Sequence, residues 1–419
     1  MTTAELEEVW RRESPHLLAA LLRRHGDYAD CEDAAQEALV ASAEQWPREG
    51  LPDNPRGWLV RVASRRLVDR ARADRARAAR EEAVGTAQPT DSYVAPPADE
   101  PTDDGADDSL LLLMLCCHPT LSRPSQVALT LRAVSGLSTA AIATAFLVAE
   151  TTMGQRLSRA RTTLRDNGAR FEMPTPDELP TRVAAVLDVL YLVFNEGYAR
   201  SAGDSLVETS LAVEAIRLTR QLHAYLPDHD EVAGALALML LTDARRAARV
   251  DGRGDLIPLA EQDRSRWDDD LVREGAGLLE EVLPRGPVGA YQLQAAIAAV
   301  HADAAHYEDT DWVQIVVLYT MLDRVAPSPV VTLNRAVAVG MSTGPTAGLA
   351  ALQPLANDES LDRYHRLHAV RAHLLEMSGD LAAAEREYAR AAELTSSRPE
   401  QRYLARRLTR LRQEGATGR

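Results

Sequence analysis

The 419-residue sequence contains no lysine, so all 47 of its basic residues are arginine. Aromatic residues make up only 5%, and cysteine occurs three times, at Cys31, Cys116 and Cys117. So few thiols exclude a disulfide framework and indicate a reducing compartment. The longest apolar run, 110–117, is too short to cross a bilayer, and the acidic N-terminus lacks the apolar segment of a signal peptide. We therefore expect a cytoplasmic protein with no membrane-spanning segment.

The composition favours helices throughout. Hydrophobic residues make up 46% of the chain, leucine and alanine are abundant, and strand-forming residues are few. Residues 83–108 combine four prolines with glycine and acidic residues, which is typical of a flexible linker. We expect an all-α fold with two small helical domains at 5–82 and 109–173, joined by that linker. A larger domain at 174–419, hereafter the extension, follows as helices joined by short loops.

Charge is distributed unevenly along the chain. The formal net charge is −15, yet residues 56–80 hold nine arginines against two aspartates, and residues 110–173 hold seven arginines against three acids. Residues 81–109 hold nine acids and no arginine, and the extension holds 36 acids against 26 arginines. Local charge, rather than net charge, governs contact with nucleic acid. The sequence therefore predicts two basic, DNA-facing parts in an otherwise acidic protein.

Residues 137–165 have the pattern of a helix-turn-helix. In this interpretation the first helix is LSTAAIATAF, the turn is LVA, and the second helix is ETTMGQRLSRARTTLR. One face of the second helix carries the apolar residues Met153, Leu157, Ala160 and Leu164. The opposite face, where a major groove would lie, carries Thr152, Gln155, Arg156 and Arg159. An ordinary amphipathic helix with a solvated basic face fits the same pattern equally well.

Several long segments, in a fixed order, resemble one protein family. DYADCEDAAQEALVASAEQW and NPRGWLVRVASRRLVDRARADR resemble region 2 of sigma factors, in particular the extracytoplasmic-function (ECF) group. QVALTLRAVSGLSTAAIATAFLVAETTMGQRLSRARTTLR resembles region 4 of the same group. VLYLVFNEGYARSAGD and DTDWVQIVVLYTMLDRVAPSPVVTLNRAVAV resemble the ECF subgroup with a tetratricopeptide-like extension. The resemblance covers nearly the whole chain.

The resemblance implies a subunit that binds core RNA polymerase and selects promoters. The residues that match the polymerase-clamp-binding motif are Asp33, Gln36 and Glu37. Those that match the segment meeting a melted −10 element are Arg65, Arg66, Asp69, Arg70 and Arg72. In the reading helix, which would meet the −35 element, the matching residues are Thr151, Thr152, Gln155, Arg156 and Arg159. On the residues alone, the acidic set is also an ordinary solvated helix face.

The extension holds two further features. In AHLLEMSGDLAAAEREYARAAEL, a tetratricopeptide-like repeat is indicated by Ala372, Gly379, Ala384, Tyr388 and Ala391. The segment 251–267, DGRGDLIPLAEQDRSRW, is either a helix-capping loop or a docking loop for the sigma domains or a protein partner. Its candidate contact residues are Asp251, Gly252, Arg253, Gly254, Asp255, Asp263, Arg264 and Trp267. The boundary at 172–180 is short, so we expect the second domain and the first extension helix to pack together.

Nothing in the sequence points to catalysis, a cofactor or a metal. CCHP at 116–119 lacks a second ligand pair, and Asp243, Asp251, Asp255 and Asp263 have no histidine or cysteine at motif spacing. Two other function classes stay open. One is a DNA-binding regulator that acts without being a polymerase subunit. The other is an enzyme or scaffold tethered to DNA by its N-terminal part.

Overall fold

The structure is a computed structural model that describes residues 3–82, 109–146, 148–198, 202–203, 209–355 and 361–417. The predicted linker, 83–108, lies outside the described residues. The all-α expectation is confirmed, since the described chain is helical apart from turns and two-residue strands. The chain divides into two compact units, Met1–Val189 and Leu190–Arg419.

Three long helices form the first predicted domain, the part that resembles region 2: α1 (Thr3–His25), α2 (Tyr28–Glu49) and α3 (Pro55–Glu82). The side chain of Asp27 caps α2 by accepting a hydrogen bond from Asp30 N at 2.9 Å. Gly50 ends α2 at a φ of 89°, a conformation that other residues rarely adopt. The buried Trp46 meets Trp58 edge-on, with ring centroids 5.3 Å apart. This contact fixes the start of α3 against the end of α2.

Four shorter helices form the second predicted domain, the part that resembles region 4: α4 (Ser109–Cys116), α5 (Arg123–Ala133), α6 (Thr139–Ala145) and α7 (Glu150–Asp166). Ser138 caps α6 by accepting from Ala141 N at 3.0 Å. The predicted apolar stripe of α7 is confirmed as buried, and Ile142 and Ala143 of α6 are buried beside it. Phe146, which directly follows the end of α6 at Ala145, is half-buried.

The helix after the boundary, α8 (Leu179–Tyr198), packs its first half against region 4, as the short boundary predicts. Arg182 is buried and donates to Met114 O at 2.8 Å. Arg123 Nη2 lies 2.6 Å from Asp188 Oδ2, and Arg123 Nη1 donates to Ala185 O at 2.9 Å. The first compact unit therefore includes residues beyond the helix-turn-helix.

Helices also make up most of the described extension after α8. They are α9 (Thr209–Tyr225), α10 (Asp230–Asp243), α11 (Asp269–Val282), α12 (Ala290–Asp303), α13 (Trp312–Val325), α14 (Pro329–Thr343), α15 (Pro345–Ala351), α16 (His365–Met377), α17 (Leu381–Leu394) and α18 (Arg398–Thr417). From α12 onward each helix packs on the next, and α10 packs on both α11 and α12. The core accordingly consists of successive clusters along the stack.

The α16–α17 pair places the predicted repeat residues in one core. Ala372, Ala384, Tyr388 and Ala391 are all buried. Gly379 makes the turn between the helices at a φ of 85°. The packing agrees with a helical repeat here, while the tetratricopeptide-like character of the whole extension stays a prediction.

Two features of the extension differ from the sequence expectation. A parallel pair of two-residue strands, β1 (Ala202–Gly203) and β2 (Ser396–Ser397), was not predicted because two residues give no periodic signal. The sequence predicts helices joined by short loops, yet residues 252–254 are the tip of a long connection between α10 and α11. This connection forms 3-10 turns and a bridge between Val250 and Leu256 instead of α-helix. Within the described residues, no helix combines the length and apolarity needed to cross a membrane.

Candidate polymerase and promoter interfaces

Acids on α2 and arginines on α3 form the first candidate interface. Arg70 Nη2 lies 2.9 Å from Glu37 Oε1, and Arg70 Nη1 lies 3.6 Å from Asp33 Oδ2 and 3.7 Å from Asp30 Oδ1. Arg66 Nε lies 3.5 Å from Glu37 Oε2. Residues predicted to bind polymerase are thus ion-paired with residues predicted to bind the −10 element. Their side chains are 37–58% exposed, so each pair is worth at most about 1 kcal/mol and can exchange partners.

The other predicted −10 residues lie further out on α3. Asp69 carboxylate oxygens lie 4.0 Å from Arg65 Nε and 3.8 Å from Arg72 Nη1. The side chains of Arg65 and Arg72 are 85% and 75% exposed, so both guanidinium groups are open to a phosphate or a base. Gln36 is half-buried beside Glu37 on α2.

The predicted reading face of α7 is open. Thr151, Thr152, Gln155 and Arg159 are exposed and Arg156 is partly exposed. Among the described residues, neither Arg156 nor Arg159 forms an ion pair. Gly154 lies on this helix with open space around the position of a side chain. The helix can therefore present two free guanidinium groups to a groove without first breaking an internal contact.

A second contact, which the sequence interpretation missed, joins region 4 to α2. The side chain of Glu32 is 7% exposed, and its Oε1 lies 3.4 Å from Arg132 Nε of α5. Its Oε2 lies 3.4 Å from Arg161 Nη1 of α7, and the same Nη1 lies 3.4 Å from Asp33 Oδ1. A signal was available: Glu32 shares the apolar face of α2 with Tyr28, Ala35 and Leu39. A carboxylate on a buried face requires a cationic partner.

Glu13 of α1 links α1 to α3 within region 2. Its side chain is 8% exposed, and its two oxygens lie 2.8 Å from Arg12 Nε and 3.0 Å from Arg56 Nε. Burial alone raises the pKa of Glu13, but hydrogen bonds and charges from Arg12 and Arg56 outweigh burial and hold the pKa below its usual value. The ion pair between Glu13 and Arg56 anchors the first turn of α3, the helix that carries the predicted −10 residues.

The candidate docking loop is braced within the extension. Asp251 Oδ1 accepts from Arg253 N at 2.8 Å and from Asp255 N at 2.9 Å, which closes a tight turn. Asp255 is ion-paired with Arg402 and Arg406 of α18, and the hydrogen bond from Arg402 leads the effects that lower the Asp255 pKa. The four residues 251–254 at the tip are exposed. Docking by this loop would therefore use the tip.

The later part of the loop matches the capping alternative. Arg264 donates to His301 O at 2.5 Å and to Ala304 O at 2.6 Å, which satisfies carbonyls at the end of α12. The Arg264 guanidinium also lies 4.7 Å from the ring centroid of the buried Trp267. Asp263 accepts from Ser265 N at 3.0 Å and from Ser265 Oγ at 2.7 Å. The side chains of Asp263 and Arg264 are therefore already bonded to other residues of the extension.

The three thiols are buried, and burial disfavours their thiolate forms. Burial raises the pKa of Cys31 and of Cys117 to about 12, and it also raises that of Cys116. Asp243 is ion-paired with Arg246 at 2.5 Å, although burial raises the Asp243 pKa. In the described part of the chain, no group of three or more histidine, cysteine or carboxylate side chains is arranged to hold a metal ion.

Known families match three parts of the chain. Residues 9–77 match Sigma-70 region 2, residues 111–164 match Sigma-70, region 4, and residues 182–283 match a family of unknown function, DUF6596. An uncharacterized protein of Rhizobium meliloti (strain 1021) is 40% identical over 411 residues, which cover 96% of this chain and 95% of that protein. No solved structure matches the chain.

Regions 2 and 4 in one chain, with an acidic helix face, an arginine-rich helix and an open reading helix, define a sigma factor of RNA polymerase. The chain belongs to the sigma-70 family as an ECF-like sigma factor with an additional helical C-terminal domain, and the Rhizobium protein is its relative along nearly the whole length.

Proposed function

We propose that the chain is a dissociable, cytoplasmic subunit that binds core RNA polymerase through Asp33, Gln36 and Glu37 and directs it to specific promoters. The observation that carries the proposal is the exposed acid–arginine cluster of α2 and α3. It sits in the same chain as an open reading helix. The acids offer a partner surface, and surface ion pairs of this kind are weak enough to be exchanged.

The proposed −10 contacts come from α3. Arg65 and Arg72 are the most exposed of the set, while Arg66 and Arg70 become available to the DNA strand when polymerase takes over their acidic partners. Cationic contacts of this type suit a melted single strand, whose phosphates and bases are both accessible. In this scheme polymerase binding prepares α3 for the −10 element.

The proposed −35 contacts come from α7. The exposed Arg159 and the partly exposed Arg156 support a role in the major groove, where arginine reads guanine in a bidentate manner. Thr151, Thr152 and Gln155 complete the face. The acidic linker, 83–108, is the proposed tether between the two promoter readers.

A run-off transcription assay tests the proposal most directly. Core polymerase with the chain should initiate at defined promoters, and core polymerase alone should not. A variant with Asp33→Asn and Glu37→Gln should lose initiation, whereas Glu44→Gln, an exposed change on the same helix, should not. Because the chain is acidic overall, the free protein should bind duplex DNA weakly. Tight, sequence-specific duplex binding without polymerase would favour the alternative of an independent DNA-binding regulator.

We further propose that the extension regulates the sigma domains in cis or binds a protein partner. Its stacked helices offer a surface suited to a protein, and its acidic balance complements the basic parts of regions 2 and 4. The exposed loop tip at 251–254 is the proposed contact point. We also propose that the chain divides into region 2 at 5–82, the linker at 83–108, region 4 at 109–173 and the extension at 174–419.

A further inference from the structure

Region 4 is packed on region 2 within the first compact unit. Helix α7 contacts α2, while α4 and α5 contact α1. The carboxylate of Glu32 lies at this junction, and so does Tyr28, whose hydroxyl is buried without a hydrogen-bond partner in the described structure. The junction between regions 2 and 4 therefore contains buried polar groups, which an apolar interface does not require.

Both cations that pair with Glu32 in the described residues come from region 4. They are Arg132 of α5 and Arg161 of α7, whose side chains are 17% and 25% exposed. Burial of a carboxylate is unfavourable unless a counter-charge accompanies it, so Glu32 is compensated only while region 4 is docked. On α2 itself, the residues that share the buried face with Glu32 are Tyr28, Ala35 and Leu39, and none of them carries a positive charge.

The contacts are also suited to opening. Each Glu32 oxygen lies 3.4 Å from its nearest arginine nitrogen, whereas a charge-assisted hydrogen bond spans about 2.7–2.9 Å. Glu32 Oε2 accordingly has no hydrogen-bond partner at close range. The ion pairs are thus longer than optimal, and a competing partner needs to replace only loose contacts.

The same arginine touches a predicted polymerase residue. Arg161 Nη1 is 3.4 Å from Asp33 Oδ1 as well as from Glu32 Oε2. We propose that Glu32, Arg132 and Arg161 form a latch that keeps the free chain closed, and that a polymerase surface binding Asp33 displaces Arg161 and releases region 4 from region 2. The role given to polymerase rests on the proposed function; the latch itself does not. The reading face of α7 stays exposed in the closed unit, and the side chains of Asp33 and Glu37 are 53% and 45% exposed, so the latch competes for Asp33 through Arg161 without covering the acids.

A thiol at the junction reports opening without any polymerase. Cys116 is fully buried on α4, where burial raises its pKa, and it is close enough to Glu32 for the charge of that carboxylate to raise the thiol pKa further. Cys117 lies inside region 4, with its Sγ 3.9 Å from Thr130 Oγ1. Alkylation of buried thiols follows the fraction of time they are open. Site-resolved alkylation of the full chain, followed by mass spectrometry, therefore measures opening at Cys116 and uses Cys117 as an internal standard.

The variants are Glu32→Gln and Arg161→Gln, separately and together. We expect each to raise the Cys116 rate by roughly tenfold or more relative to Cys117, and the double change to add much less than the product of the two. Arg165→Gln is the matched control, since Arg165 lies one turn along α7 and, among the described residues, is ion-paired with the adjacent Asp166 and not with Glu32. The control should leave the Cys116 rate unchanged. Equal rates in wild type and both single variants would overturn the latch.

A parallel rise at Cys116 and Cys117 would also overturn it, because it would mean that the substitutions unfold region 4. Addition of core polymerase to the wild-type chain should accelerate Cys116 alkylation, and Glu32→Gln should bind polymerase several-fold more tightly. Polymerase that binds the chain without changing the Cys116 rate overturns the coupling. If polymerase does not bind at all, the proposed function fails, while the variants still decide the latch.

Discussion

The Arg70 guanidinium lies 2.9 Å from the Glu37 carboxylate, so a residue predicted to meet promoter DNA neutralises one predicted to meet polymerase. The same guanidinium also reaches Asp33 and Asp30. The two predicted functions of region 2 are therefore electrostatically coupled. A partner that binds the α2 acids frees the α3 arginines, and a partner that binds the arginines frees the acids, because coupling between two sites is reciprocal.

This coupling gives the first prediction. Glu37→Gln should strengthen binding of the free chain to a single-stranded oligonucleotide by up to about 1 kcal/mol, because Arg66 and Arg70 lose a competing partner. The same change should weaken polymerase binding. Fluorescence anisotropy over a range of salt concentrations should show a steeper salt dependence for the variant. Unchanged affinity and slope would mean that the arginines do not reach the strand.

The second prediction concerns the reading helix. Arg156→Ala or Arg159→Ala should reduce promoter use by about 1–3 kcal/mol if the contact is bidentate to guanine. Polymerase binding should be unaffected because neither residue belongs to the predicted polymerase-binding set and, among the described residues, neither is ion-paired with it. The measurement is abortive initiation on a promoter with its natural −35 element and on one with that element scrambled. On the scrambled promoter the variants and the wild type should be equal, and full activity of both variants on the natural promoter would contradict the placement.

The parts predicted well from the sequence share one physical property, which is periodicity. The stripe of Met153, Leu157, Ala160 and Leu164 repeats at helical spacing, so its burial follows from the sequence. The Glu32 contact was missed because its partners lie 100 and 129 positions further along the chain, at Arg132 and Arg161. Tertiary pairing over such distances leaves no local pattern. The ion pairs of Asp255 could not be predicted for the same reason, because Arg402 and Arg406 lie on α18 at the other end of the extension.

The third prediction concerns Gly154. Its backbone is helical, and a Cβ there would meet no atom within 4 Å. Gly154→Ala should therefore raise the free energy of unfolding by about 0.5–1 kcal/mol, because glycine loses the most backbone entropy in a helix. Gly197→Ala is an opposite control, since its Cβ would come within 2.3 Å of Ala212 N and should destabilise. Urea denaturation followed by circular dichroism measures both, and a destabilised Gly154→Ala would show that this position requires glycine.

The fourth prediction is a dependence of stability on pH. The pKa of Glu13 is held below its usual value of 4.5 in the folded chain. Such a group stabilises the fold above its unfolded pKa, and this stabilisation is lost as the pH falls through the folded pKa. Stability should therefore decline below about pH 4.5. Glu13→Gln should flatten that decline and cost about 1–2 kcal/mol at neutral pH.

Urea titrations of both chains between pH 3 and pH 7 test this, with Glu44→Gln as the exposed control. Parallel pH curves for the wild type and Glu13→Gln would assign the acid sensitivity to other carboxylates.

The last prediction separates support of region 4 from regulation by the extension. A chain ending at Phe171 lacks Arg182 and Asp188, which bond to Met114 O and to Arg123, together with the buried Val183 and Val186. We expect this chain to be destabilised, because the carbonyl of the buried Met114 and the guanidinium of Arg123 lose their partners and apolar contacts are lost as well. A chain ending at Val189 keeps all of these contacts and should match the unfolding midpoint of the first unit in the full protein.

Promoter activity of the Val189 chain then tests regulation in cis. If the extension regulates the sigma domains, this chain should differ from the full protein several-fold, in either direction. The difference should shrink at high salt because it depends on the acidic balance of 36 against 26. Asp251→Asn and Arg253→Gln in the full protein should move activity toward that of the Val189 chain, because both lie at the exposed loop tip. Equal activity of the Val189 chain and the full protein at every salt concentration would rule out regulation in cis and assign the extension to a partner in trans.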